Sequence, residues 1–277
     1  MPSASPAVAP DHLTCLSKLP STLLTADGQQ IELWHLAAPN GNGQVSAWAQ
    51  AFRQHYCPDS EIDILRNGTG LSRSQYLREL IFPDKTKAPG PSIRAGDFAE
   101  LLVSDYLEFV LGYYVPRGKF ADKATRDESV KGVDILGFKM QSASKASPAD
   151  TLLAFEVKAQ LTGATCTARL QVAVNHSSKD YIRQATTLNA TKRRLHRAGE
   201  EAQGLVIERF QNPTDHPYQY RSGAAAMLSD GAYDATSIQK TTTAGHQNSV
   251  NLQLIVIRGT DLMSLVHLLY EKAADEA

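Results

Sequence analysis

Apolar positions recur along this chain with two periods, and the period changes where the elements change. Residues 31–36 alternate Ile31, Leu33 and His35 with Glu32 and Trp34, which predicts a short strand after the Asp27-Gly28 turn. Asn40 to Gly43 reads as a loop. Beyond it, Val45, Trp48, Ala49 and Phe52 recur at helical spacing. A second, weaker helical pattern covers 72–82 before Pro83, Pro89 and Pro91 break the chain. The longest helical pattern runs over 94–113. Asp97, Ser104, Asp105 and Glu108 form its polar face, whereas Glu100 shares a stripe with Val103, Leu107 and Leu111. An acid on the apolar stripe of a helix is rarer than one on its surface.

The second half is richer in strand patterns. Short strands are expected at 115–120 and 133–138, with a charged loop over 122–131 between them. A polar loop over 141–150 leads to the stretch Leu-Leu-Ala-Phe-Glu-Val-Lys-Ala at 152–159. Strand side chains alternate faces, so Glu156 and Lys158 point one way and Leu153, Phe155 and Val157 the other. If 133–138 and 152–159 form an antiparallel hairpin, Asp134 and Glu156 become neighbours. A strand at 168–174, capping residues at 175–178 and a basic helix over 179–198 follow. Leu205 to Ile207 reads as a short buried strand. Residues 209–249 form a long polar connection, and a strand at 252–257 with a helix at 261–272 closes the chain. The pattern predicts an α/β protein with a mixed central sheet flanked by helices. Residues 1–90 read as a small N-terminal α/β annex, its first ~12 residues disordered, and 91–277 as the main domain.

Composition excludes more than it asserts. A net charge of −1 provides no global positive field, so any basic surface is local. Three scattered cysteines suit neither a disulfide framework nor a zinc site. The start of the sequence lacks the pattern of a secretory signal, and no apolar run approaches the roughly 20 residues of a membrane span. A cytoplasmic location is the expectation. No Gly-rich phosphate loop with Lys-Ser/Thr is present, so the chain is not expected to hydrolyse nucleoside triphosphates itself.

The chemistry concentrates on Glu156 and Lys158. Burying an acid and an amine among so much apolar surface costs free energy unless they are paired, metal-bound or solvated in a cleft. Carboxylates suit Mg²⁺ or Mn²⁺, which bind through one or two of them and keep several waters. A Glu-x-Lys pair alone occurs by chance in many proteins; Asp134 upstream and inward Glu100 make the set more specific. Asp134 followed by Glu156-Val157-Lys158, after a helix bearing Glu100, resembles the signature of the PD-(D/E)XK nuclease superfamily. The resemblance covers roughly 94–260 and implies a restriction-endonuclease-like αβββαβ core. It implies that Asp134, Glu156 and Glu100 hold the metal and that Lys158 is the catalytic lysine. The usual proline before the first acid is replaced by Val133. Gly96-Asp97-Phe98-Ala99-Glu100 and Gly132-Val133-Asp134 are similar to HamA-type nuclease subunits of Hachiman anti-phage systems, in which a small nuclease works with a helicase partner.

On this reading the chain is a Mg²⁺-dependent nuclease acting on DNA, with RNA and a homodimer left open. Lys179, Arg183, Lys192, Arg193, Arg194 and Arg197 would meet the phosphate backbone, although a basic helix end is also favoured simply by the helix dipole. Tyr181, Gln184, His176 and Gln160 are secondary candidates, more simply read as packing or capping residues. The alternative is a non-catalytic subunit of the same fold that binds a helicase or nucleic acid.

Overall fold

A computed structural model describes residues 8–277. Six strands form one sheet: β1 (Leu16–Leu24), β2 (Gln30–Leu36), β3 (Ile135–Lys139), β4 (Thr151–Gln160), β5 (Gln219–Ser229) and β6 (Leu252–Gly259). Their spatial order is β1-β2-β6-β5-β4-β3. The four inner strands run parallel, while β1 and β3 pair antiparallel at the two edges. Parallel inner strands must be covered on both faces, which explains why β4 buries residues of both alternating sets from Thr151 to Val157.

On one face, α1 (Gly41–Gln54), α4 (Gly90–Asp105) and α9 (Leu262–Asp275) pack against Phe155, Val157, Met227, Ile255 and Ile257. The short helices α2 (Ile62–Arg66) and α3 (Arg73–Tyr76) lie between α1 and α4 in sequence, and Leu77 to Ile81 continues α3 as a π turn. The opposite face carries α5 (Arg169–Ser177), α6 (Asp180–Arg197) and α7 (Glu201–Gln211) against Ala154, Leu152, Ala224 and Ala226. A final short helix, α8 (Ala235–Gln239), follows β5. Each fully buried Leu, Ile or Phe in these layers contributes about 1.5–3 kcal/mol.

The mixed sheet flanked by helices agrees with the pattern, but several elements differ. Residues 168–174 are helical because Leu170, Ala173, Val174 and Ser177, the buried set of α5, follow the i, i+3, i+4, i+7 spacing of a helix and not the alternation of a strand. Leu205 to Ile207 belongs to α7, whose buried residues Gly204, Ile207 and Phe210 recur every third position. The stretch 175–178 ends α5 rather than capping the basic helix, whose N-cap Lys179 has no side-chain cap bond. Residues 115–120 form no strand; only Tyr114 bridges to Phe138. The succession after α4 is therefore two strands, three helices, a strand, the short α8, a last strand and α9.

The 209–249 connection hides β5, a central strand. Its Gly-Ala-Ala-Ala core is poor strand material by composition, yet smallness is required there. A Cβ on Gly223 would sit 2.1 Å from the Phe155 ring of the neighbouring strand.

Residues before position 90 are not a separate layer. β2 pairs with β6 in the middle of the sheet, and α1 shares one core with α4 and α9. The expected N-terminal disorder falls largely on 1–7, outside the described residues. Asp11–Cys15 forms a 3-10 turn that buries His12.

The polar face expected on α4 is also inside. Tyr56 donates to Asp97 Oδ2 at 2.6 Å, Tyr270 donates to Tyr56 at 2.6 Å, and Lys123 completes the cluster. Asp105 is held by His12 and Arg117, each at 2.8 Å. Ser104 donates back to the Glu100 carbonyl.

Candidate active site

The hairpin register places the first two acids. Ile135 pairs with Phe155 and Leu136 with Ala154, so Asp134, one step before β3, stands level with Glu156. Because Asp134 precedes the strand, its side chain takes over the ladder: Oδ2 accepts the Val157 N–H at 2.9 Å. The Lys158 ammonium bridges the two carboxylates, touching Glu156 Oε1 and lying 3.5 Å from Asp134 Oδ2. His176, on α5, brings Nδ1 to 3.3 Å from the same Glu156 oxygen. The other oxygen of Glu156, Oε2, is buried without a partner. Burial, then the Asp134 charge, pushes the Glu156 carboxyl up to about 7. Burial pulls Lys158 down, but Asp134 and Glu156 outweigh it and leave the ammonium raised.

Glu100 comes from α4 in the opposite helical layer and reaches the site indirectly. The Lys119 ammonium contacts both its carboxylate and the Asp134 carbonyl oxygen. Burial pushes the Glu100 carboxyl up to about 8 against the pull of Lys119. Any ion shared by Glu100 and Asp134 would have to open this pair. Among the described residues, no three or more His, Cys, Asp or Glu side chains form a ready metal cage.

One acid at this site escaped the sequence reading. Asp180, the first residue of α6, is 0 % exposed and neither of its oxygens has a hydrogen-bond partner. Burial, then Glu156 and Asp134, pushes it up to about 8. The signal was present: Asp180, Leu188, Thr191 and Leu195 are the buried set of α6, a helical stripe that begins with an acid. The sequence pattern gives His176 a packing or capping role, whereas the fold sets it against Glu156.

The basic residues separate. Lys179, Arg193 and Arg197 are exposed. Arg183 leans toward Asp180 at 3.5 Å, Lys192 pairs with Glu208 at 2.7 Å, and Arg194 pairs with Asp122 at 2.9 Å. Arg194 and Arg197 line a cleft of about 540 Å³ whose wall includes Asp134, Lys119 and Arg117. Arg117 is itself held by Asp105 and Glu108. Gln160 does not join the site; it fastens the turn that follows β4, bonding Thr165 and Thr167. Gln184 Oε1 is buried without a partner.

Fold and cluster together define an α/β protein built around buried ionisable groups, with two acids and a lysine on one sheet face beside a cleft. The chain belongs to the HamA family, the Hachiman anti-phage defence component, whose sequence profile it matches over residues 11–273. No curated protein and no solved structure matches it. No helix among the described residues is long and apolar enough to cross a membrane.

Proposed function

We propose that this HamA chain is a metal-dependent nuclease of the PD-(D/E)XK type, hydrolysing phosphodiester bonds in DNA as the effector of its defence system under the control of a helicase partner. The observation that carries the reading is the shared placement of Asp134, Glu156 and Lys158 on one face of the β3–β4 hairpin. The donor set suits Mg²⁺ or Mn²⁺: two hard carboxylates, one with a buried, unpartnered oxygen. Asp134 and Glu156 would hold the ion, with Glu100 joining if Lys119 releases it. Bound there, the ion would supply Lewis-acid charge and an acidified water.

The chain's own groups do the rest. Asp134 is fixed by its bond from Val157 N–H, so its free oxygen keeps a set direction. Lys158 sits where a proton or a negative oxygen can be met, at the end of a side chain confined by two acids. The arginines of the cleft would hold the strand by its phosphates, independent of sequence.

One observation favours a second reading, a nuclease-fold subunit whose nucleic-acid contact comes from a partner. Arg117, Lys119 and Arg194 are each neutralised by a neighbouring acid, which leaves Arg197 to supply most of the free positive charge of the cleft. The two readings part in a plasmid-cleavage assay with Mg²⁺ or Mn²⁺, run with and without the genomic-neighbour helicase. Nuclease action predicts cleavage that EDTA abolishes and that Glu156→Ala or Lys158→Ala lowers about 100-fold or more. Equal cleavage by all three proteins, or none even with the helicase, would contradict it.

A further inference from the structure

A second cavity, of about 310 Å³, opens on the same sheet face as Glu156 and Lys158. Ser177 closes one side of it from α5, Tyr181 from the first turn of α6, Tyr220 and Ser222 from β5, and His246 and Asn248 from the loop before β6. The parallel register aligns Tyr220 with Leu152, Ser222 with Ala154 and Ala224 with Glu156. At about 3.3 Å per residue, the cavity lies roughly 7–13 Å along the sheet from the level of Glu156.

Its chemistry is polar without charge. Ser177, Ser222 and His246 are buried, and the Tyr220 hydroxyl is buried with no partner. Asn248 Nδ2 donates to Ser222 Oγ at 3.2 Å and to the Tyr220 carbonyl at 3.3 Å. His246 and Ser177 resemble a base and nucleophile, at 2.8 Å, but the tautomer is wrong for that. The Asn248 backbone N–H donates to His246 Nδ1 at 3.0 Å, so Nε2 carries the proton and donates to Ser177. Burial lowers the His246 pKa, in keeping with a ring that accepts at Nδ1. A pocket of this kind binds rather than reacts. The Tyr181 ring stands at its mouth, 58 % exposed and edge-on to Tyr220 at 5.5 Å. Lys179 is exposed beside it and has no acidic partner among the described residues.

We infer that this cavity receives an unpaired nucleobase of the strand whose phosphate lies at Glu156 and Lys158. A neutral, flat, donor- and acceptor-rich ligand matches the lining; Tyr181 offers a stacking face and Lys179 a contact for the adjoining phosphate. The inference rests on the nuclease reading for the identity of the strand, but it is tested without cleavage. It makes the preferred substrate single-stranded or locally opened.

The test uses the full chain in EDTA and fluorescence anisotropy with two probes: a short single-stranded oligonucleotide and its abasic counterpart with the same backbone. Wild type is expected to bind the base-bearing probe more tightly. Tyr181→Ala, at an exposed position, is expected to remove about 5- to 150-fold of that preference and leave abasic binding unchanged. Asn248→Ala should alter the ranking among homopolymer probes. Equal binding of the two probes by wild type, or equal loss on both in Tyr181→Ala, would overturn the inference. Cleavage unaffected by Glu156→Ala, with the base preference intact, would remove the nuclease reading and leave the pocket standing.

Discussion

The buried acids of α4 and those gathered around Glu156, on opposite faces of the sheet, are treated in opposite ways. On the face covered by α1, α4 and α9, each buried acid of α4 has a cation: Asp97 has Lys123, Glu100 has Lys119, and Asp105 has Arg117 and His12. On the face covered by α5 and α6, Glu156 leaves one oxygen bare and Asp180 leaves both without a hydrogen bond. Satisfied buried polar groups hold a structure together; unsatisfied ones cost about 1–3 kcal/mol each and point to something the fold is built to receive. The first face is a scaffold, and the second is where ligand chemistry belongs.

Breaking the satisfied side should cost the most stability. Lys123→Ala leaves Asp97 buried beside two tyrosines without its cation, and should lower unfolding free energy by about 3–5 kcal/mol in a denaturant titration. A loss below 1 kcal/mol would show that this network is not what anchors α4. Gly223→Ala tests the packing between the faces. Its methyl meets the Phe155 ring, so a loss of about 1–3 kcal/mol is expected in the same titration.

The unsatisfied side should respond to pH instead. Asp180 keeps its proton in the folded state up to about 8, whereas the unfolded chain loses it near 3.8. Between those values the native state binds more protons, so this group makes stability fall as pH rises from about 4 to about 8. Asp180→Asn should shrink the difference in stability between pH 5 and pH 9 by about 1–3 kcal/mol. An unchanged difference would mean that Asp180 is charged and paired in solution.

How much of this was legible in the sequence follows from the same contrast. Glu156 and Lys158 could be placed on one face because a strand has a period of two, and Asp134 could be placed beside them through the hairpin. The inward turn of Glu100 was visible in the stripe of Val103, Leu107 and Leu111. What escaped depends on partners far away in the chain. Asp97 and Asp105 read as surface acids because the groups that satisfy them, Tyr56, Lys123, Arg117 and His12, come from other segments. The β5 strand escaped because Gly223 is set by the Phe155 ring and its alanines by the helices on either face, not by strand propensity. In α5, the alternation of Leu170, Val172 and Val174 imitates a strand, but the residues packed against Ala224 and Ala226 are Leu170, Ala173 and Val174, at helical spacing.

The measurement that bears most directly on the contrast is calorimetric titration of Mn²⁺ into the purified chain at neutral pH. A binding isotherm is expected that Glu156→Gln and Asp134→Asn each abolish, while Asp97→Asn, in the paired cluster of α4, retains it. Equal binding by the Glu156 and Asp134 variants, or no binding by the wild-type chain, would contradict the assignment of these two carboxylates to a cation.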